Sequence, residues 1–362
     1  MTPTRALHDA GQSLWLDNIT RGMLDDGSLE RHIREHDVTG LTSNPTIFEK
    51  AIGAGTQYDA QIAELASGTG ADDALFFELA ISDLQRACDL FAPIHERTAG
   101  LDGFVSLEVS PELAYDTAAT VAQAADLHAR MARPNVYIKI PGTPEGLPAI
   151  EETIAAGIPV NVTLLFSSEH HLAAAEAYHR GLERRIAAGL SPDVPSVASL
   201  FMSRWDKKVE GRAPDELRNR LGLAIGGRAY RNYRDLLDSD RVQRLMNAGA
   251  RPQRLLWAST GTKDPEASDV LYVDGLAAPY TVNTMPDGTL TAFADHGAVP
   301  PVALRRDGGD AEQVLAAFEA AGLRISELEA ELQQEGAEAF VDSWRSLLGT
   351  LADKRASVAG AA

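Results

Sequence analysis

The 362-residue chain is 44% hydrophobic, enough for one large core or two ordinary ones. Its formal net charge of -19 argues against a general nucleic-acid surface, since neutralising phosphates needs clustered Lys and Arg, and no apolar run reaches the roughly 18 residues of a membrane span. The stretch Met1 to Asp9 lacks the apolar centre of a signal peptide and the single cysteine, Cys88, excludes an intramolecular disulfide, so a cytoplasmic protein is expected.

Strand-like runs follow one another at 13–19, 38–43, 103–109, 136–141, 159–166, 194–201, 254–260 and 280–284, eight in all. Most segments between them carry helical periodicity. One spans 117–128, with apolar positions three and four apart; another spans 168–188, opened by a Ser167 or Ser168 cap and ended near Gly189. Eight strands each followed by a helix is the pattern of a closed α/β barrel, the (β/α)8 TIM barrel, with additional helices at the N- and C-termini. A doubly wound open sheet is the alternative, because counting strands does not establish closure. No Gly-x-Gly-x-x-Gly follows a strand, which weakens a dinucleotide fold. Gly226-Gly227 and Gly308-Gly309 read as loop positions without a P-loop lysine. One or two amphipathic helices follow about residue 311. The expected organisation is a single domain over 1–350 and a small-residue, disordered tail at 351–362.

The least expected residue is Lys139, inside Asn135-Val136-Tyr137-Ile138-Lys139-Ile140-Pro141. Burying an unpaired ammonium costs several kcal/mol, so a buried lysine tends toward the neutral amine, which attacks carbonyls to form a Schiff base. With six lysines against 27 arginines, lysine is not filler in this chain. The alternative is a strand-end lysine that snorkels to solvent. Catalytic residues of a barrel sit at the C-terminal ends of its strands, and polar residues recur there: Asp17-Asn18, Thr42-Ser43-Asn44, Glu108, Lys139, Asn161 and Thr163, Ser199, and Ser259-Thr260. Helices cover the outside of barrel strands, so such residues must face inward or be partnered.

Leu16-Asp17-Asn18, Thr42-Ser43-Asn44-Pro45-Thr46-Ile47-Phe48, Ser106-Leu107-Glu108-Val109, Tyr137-Ile138-Lys139-Ile140-Pro141, Asn161-Val162-Thr163-Leu164-Leu165-Phe166-Ser167 and Ala198-Ser199-Leu200-Phe201-Met202-Ser203-Arg204 resemble, in order, the successive strand motifs of transaldolase. The resemblance implies a class I aldolase-type barrel without a cofactor. It would move a dihydroxyacetone unit between sugar phosphates, interconverting sedoheptulose 7-phosphate and glyceraldehyde 3-phosphate with erythrose 4-phosphate and fructose 6-phosphate. It further implies Lys139 as the imine-forming nucleophile, Asp17 as acid and base at the C4 hydroxyl, Glu108 as a proton shuttle through a water held by Thr163, and Asn44, Asn161 and Ser199 as contacts for the donor's hydroxyls. Phe201 stands in the same motif, and Arg204 aligns with the family's phosphate-binding arginine.

On the seventh strand this chain reads Trp257-Ala258-Ser259-Thr260-Gly261-Thr262-Lys263, where the enteric pattern is Ala-Ser-Phe-Arg. Ser259 and Lys263 are the expected replacements for the missing arginine, in keeping with a longer actinobacterial-like subgroup; the alternative for Lys263 is a pair with Asp264 or Glu266. Arg228 and Arg231 read as surface partners of Asp235. Glu327, Glu329, Glu331 and Glu335 read as an exposed helical face, and His170-His171 as no metal site, since adjacent helical residues do not converge. The expected partners are small sugar phosphates, with no nucleic acid and no membrane, for a monomer or homodimer. A fructose 6-phosphate aldolase, a lyase, and a sugar-phosphate-binding barrel without catalysis are the competing functions.

Overall fold

The computed structural model describes residues 1–65, 70–300 and 304–361. Eight parallel strands, β1 (Gln12–Leu16), β2 (Val38–Leu41), β3 (Val105–Glu108), β4 (Val136–Pro141), β5 (Val160–Leu165), β6 (Ser196–Phe201), β7 (Arg254–Ala258) and β8 (Thr281–Met285), pair in sequence order and close with β8 beside β1. Closure decides between the two sheets the strand pattern left open: the fold is a (β/α)8 barrel. Every strand residue is buried, as required when helices cover one face and packed side chains fill the other.

Register places the chemistry. Glu108 pairs with Lys139 and Lys139 with Asn161, so three neighbouring strands present these residues in one row, and Thr163 stands beside Pro141 one step nearer the mouth. At the opposite end a buried network closes the barrel floor: Ser13 and Trp15 donate to Asp102, Trp15 at 2.8 Å, while Arg254 donates to Ser13 at 2.6 Å and lies 3.9 Å from Asp102. Gly40 admits the Trp15 ring, because a β-carbon there would stand 2.7 Å from it.

Several sequence expectations change in three dimensions. Gly226 and Gly227 are not in a loop but within the helix Leu221–Leu237, where a β-carbon on Gly227 would meet Ala311 and the Gly308 carbonyl at 2.9 Å. Arg228 and Arg231 pair with Glu312 on the helix Ala311–Ala320, whereas Asp235 pairs with Arg306. Glu329 is not part of an exposed face: it accepts from Ser167 and lies 3.0 Å from His170. Residues 351–361, expected with residue 362 to be a tail, continue the last helix, Ile325–Ala361, in which Leu351 is fully buried and Lys354 pairs with Asp59 at 2.9 Å; residue 362 lies outside the described residues. No helix among the described residues is long and apolar enough to cross a membrane.

That last helix crosses the barrel mouth. Gln333 donates to the carbonyls of Gly142 and Leu164 at 3.2 and 3.1 Å, Ser343 accepts from Thr46 at 2.9 Å, and Lys208 bridges Glu331 at 2.8 Å. Gly336 lets it lie close, since even a β-carbon would be 3.2 Å from Leu164 and Phe166.

Candidate active site

The C-terminal ends of the strands surround a cavity of about 330 Å³. Asp17, Asn44, Lys139, Thr163, Ser199, Phe201, Arg204, Ser259 and Lys263 line it. Two of the residues singled out in the sequence stand behind its wall. Glu108 is 6% exposed and reaches the cavity through Lys139; Asn161 is fully buried, its amide spent between Ser106, to which it donates at 3.1 Å, and Ser199, from which it accepts at 2.7 Å.

Lys139 is 5% exposed. Its ammonium donates to Glu108 at 3.1 Å and to the Ser43 carbonyl at 3.3 Å. The lysine is therefore a buried, paired amine and not a snorkelling one. Burial raises the pKa of Glu108; Lys139 opposes that rise and Asp17 adds to it. Burial likewise raises that of Asp17, opposed by Lys139, by the hydroxyl of Thr42 donating at 2.8 Å, and by Lys263. Two carboxyl groups flank one amine, and each is easier to protonate than a carboxylate in water. Glu108 Oε1 and Thr163 Oγ1 are buried without a hydrogen-bond partner among the described residues.

Local backbone explains how the side chains are aimed. Asn44 caps the helix Pro45–Gly53, its carbonyl oxygen accepting from Ile47 N at 3.1 Å, which leaves its NH2 for the cavity. The β5–β6 register shifts between Val162 and Leu165, where Leu164 adopts φ +59°; Ser259, just past β7, adopts φ +54°. Non-glycine residues rarely occupy the left-handed region; Ser259 lines the cavity and Leu164 follows Thr163, which does, so strain of this kind gathers at the site.

The rim is cationic although the chain is acidic. Arg204 lies over the Phe201 ring at 5.0 Å and makes no ion pair among the described residues; burial depresses its pKa. Lys263 is depressed by burial and by Arg204, with Asp17 opposing. The expected alternative for Lys263 does not hold, because Asp264 and Glu266 are taken by Arg218 at 2.7 Å each. Part of the long segment after β6 lies alongside: Lys207, Glu210, Arg218 and Asn219 line a second cavity of about 290 Å³ that shares Lys263.

The arrangement matches known proteins along its whole length. The family model described as Transaldolase/Fructose-6-phosphate aldolase matches residues 14–351. The chain belongs to this family. It is 47% identical over 366 residues to a transaldolase of Arthrobacter sp., with 98% of each chain covered, and 45% identical to one of Parafrankia sp., with 99% of each covered. A transaldolase of Mycobacterium tuberculosis is 45% identical over 353 residues, covering 95% of this chain and 94% of that one. The chain is accordingly an enzyme of the transferase class.

Sequence reasoning gave no site role to Thr42, Lys50, Thr284 or Phe340 of the cavity wall. Thr42 was within a quoted motif, but only the fold shows it bonded to Asp17 and, at 2.8 Å, to Thr284. Lys50 sits six residues after Asn44 on the same helix, with no ion pair among the described residues. Phe340 left no signal, being one apolar position in a long amphipathic stripe. Among the described residues no group of His, Cys, Asp or Glu is arranged to hold a metal ion.

Proposed function

We propose that this barrel transfers a dihydroxyacetone unit through an imine on Lys139, interconverting sedoheptulose 7-phosphate and glyceraldehyde 3-phosphate with erythrose 4-phosphate and fructose 6-phosphate in the non-oxidative pentose phosphate pathway. The observation that carries this reading is the buried Lys139 ammonium, 3.1 Å from Glu108, on the wall of a cavity with a cationic rim.

Glu108 takes a proton from Lys139, freeing the amine to add to the C2 ketone. Loss of water from the carbinolamine needs that proton returned, and a water held between Glu108 Oε1 and Thr163 Oγ1 carries it; neither atom has another partner among the described residues. The protonated imine then withdraws electrons as the C3–C4 bond breaks. Asp17, whose burial favours its protonated form, accepts the C4 hydroxyl proton and gives it back to the incoming aldehyde. Asn44 and Ser199 hold the donor's hydroxyls, with Asn161 orienting Ser199. Arg204, Lys263 and Ser259 take the phosphate: Arg204 is a half-buried guanidinium with no carboxylate partner among the described residues, and Ser259 is held by Ser203 at 3.0 Å. The protein works in the cytoplasm as a monomer or homodimer.

Borohydride reduction in the presence of fructose 6-phosphate, followed by peptide mapping, tests the reading. A reduced dihydroxyacetone adduct on Lys139 is expected, together with product formation that requires an acceptor aldose. Release of dihydroxyacetone at the same rate with and without acceptor would make the enzyme a lyase. A folded protein with no adduct would leave only a sugar-phosphate-binding barrel.

A further inference from the structure

The last helix is fixed to the mouth on both sides of Phe340. Seven residues before it, Gln333 holds the carbonyls of Gly142 and Leu164; three residues after it, Ser343 accepts from Thr46. Between these anchors the helix buries one face, Gly336, Ala337 and Phe340, while Gln334, Glu335 and Glu338 are exposed. Phe340 lines the cavity, and its ring centroid lies 5.4 Å from the Lys139 ammonium. The other large side chains of the stripe pack elsewhere, Trp344 against Phe76 at 5.0 Å and Leu347 in the core. Phe340 also meets Phe201, whose own ring carries Arg204. The nucleophile thus has a carboxylate and a carbonyl as polar partners and an aromatic face as cover.

An aromatic face over a cation has two consequences. Its quadrupole attracts the positive nitrogen, which persists when the ammonium becomes a protonated imine. Its bulk excludes water from that side of the C2–N bond. Once the aldose has left, two fates compete for the bound enamine. Transfer forms a bond from C3 to the acceptor aldehyde. Loss begins when C3 takes a proton instead; one water then adds to C2, the C2–N electron pair returns to nitrogen, and the protonated imine plus water becomes dihydroxyacetone and the ammonium of Lys139. No oxidant or reductant enters.

We propose that Phe340 is a positioning residue that keeps water from the Lys139 imine, so that the last helix biases this barrel toward transfer and against release of dihydroxyacetone. The inference rests on the imine reading above. Phe340→Leu stays apolar but removes the ring face and part of the bulk that covers the imine; Leu347→Ala, two turns along the same helix, weakens helix packing and leaves the ring in place. Free dihydroxyacetone and transferred product are measured together, with erythrose 4-phosphate present and absent, beside borohydride trapping on each protein. For Phe340→Leu the ratio of released to transferred dihydroxyacetone is expected to rise about tenfold, in the range a desolvated cation–aromatic contact supports. Leu347→Ala is expected to lower the melting temperature and keep the wild-type ratio. A wild-type ratio in Phe340→Leu, or an equal rise in Leu347→Ala, would overturn the proposal while the wild-type adduct still stood. Absence of that adduct from wild type would remove the imine reading itself.

Discussion

His171 offers a pH dependence that follows directly from its surroundings. It is fully buried on the helix Ser168–Ala187, edge-on to Tyr233 with ring centroids 5.7 Å apart, and neither ring nitrogen has a hydrogen-bond partner among the described residues. Burial, with His179 adding, lowers its pKa from 6.5 to about 4. The native state therefore resists a proton that the unfolded chain accepts, so this stability is complete above pH 6.5 and is lost as pH falls toward 4. At pH 5, 1.5 below the ordinary value and one above the native one, protonation favours unfolding about 30-fold, or about 2 kcal/mol. His171→Phe removes the proton site and keeps the edge-on ring. Urea unfolding at pH 7 and pH 5 is the assay. The variant is expected to lose about 2 kcal/mol less than wild type between the two pH values. His179, also lowered to about 4, is common to both proteins and cancels. Equal losses in the two proteins would refute the argument, as would a His171 ring resonance titrating near 6.5.

Three further outcomes follow from the site and the barrel floor. Glu108→Gln keeps the shape beside Lys139 but carries no exchangeable carboxyl proton; kcat is expected to fall by about 10² to 10⁴, with adduct formation slowed in single-turnover trapping. Wild-type kcat in that variant would exclude Glu108 as the shuttle. Arg204→Ala removes a charge-assisted phosphate contact, so KM for fructose 6-phosphate is expected to rise about 10- to 100-fold. An equal effect on an unphosphorylated ketose donor would show that the arginine does not read phosphate. Asp102→Ala leaves Arg254 buried without its carboxylate and strands the Ser13 and Trp15 donors, so a loss of about 3–5 kcal/mol is expected by chemical denaturation. A loss under about 1 kcal/mol would mean the floor network contributes little.

The barrel was legible because its strands must be buried on both faces, which writes eight short, mostly apolar runs into the sequence with isolated polar residues among apolar neighbours. Lys139, Asp17 and Glu108 stood out for the same reason: an ionisable group within an apolar run has few structural explanations. Periodicity cannot, however, separate a glycine pair in a helix from one in a loop. Gly226 and Gly227 were misread because the contacts that demand them come from distant residues: a β-carbon on Gly226 would stand 2.5 Å from Leu276, and one on Gly227 would stand 2.9 Å from Gly308 and Ala311, some 80 positions later. Arg228 and Arg231 were given a partner close in sequence, while the charge they meet, Glu312, lies in another helix.

What the sequence determined alone was the chemistry on offer: which strand ends carry an amine, carboxyls and hydroxyls, and that one expected phosphate arginine is replaced. Tertiary structure decided how those groups combine. Strand register set Glu108 beside Lys139, the pairing of β1 with β2 brought Thr42 to Asp17, barrel closure brought Thr284 to Thr42, and the crossing of the last helix put Phe340 over the nucleophile from two hundred residues away. Local pattern records which face of an element is buried. It does not record what lies against that face, because the identity of the neighbour is fixed only when distant elements pack.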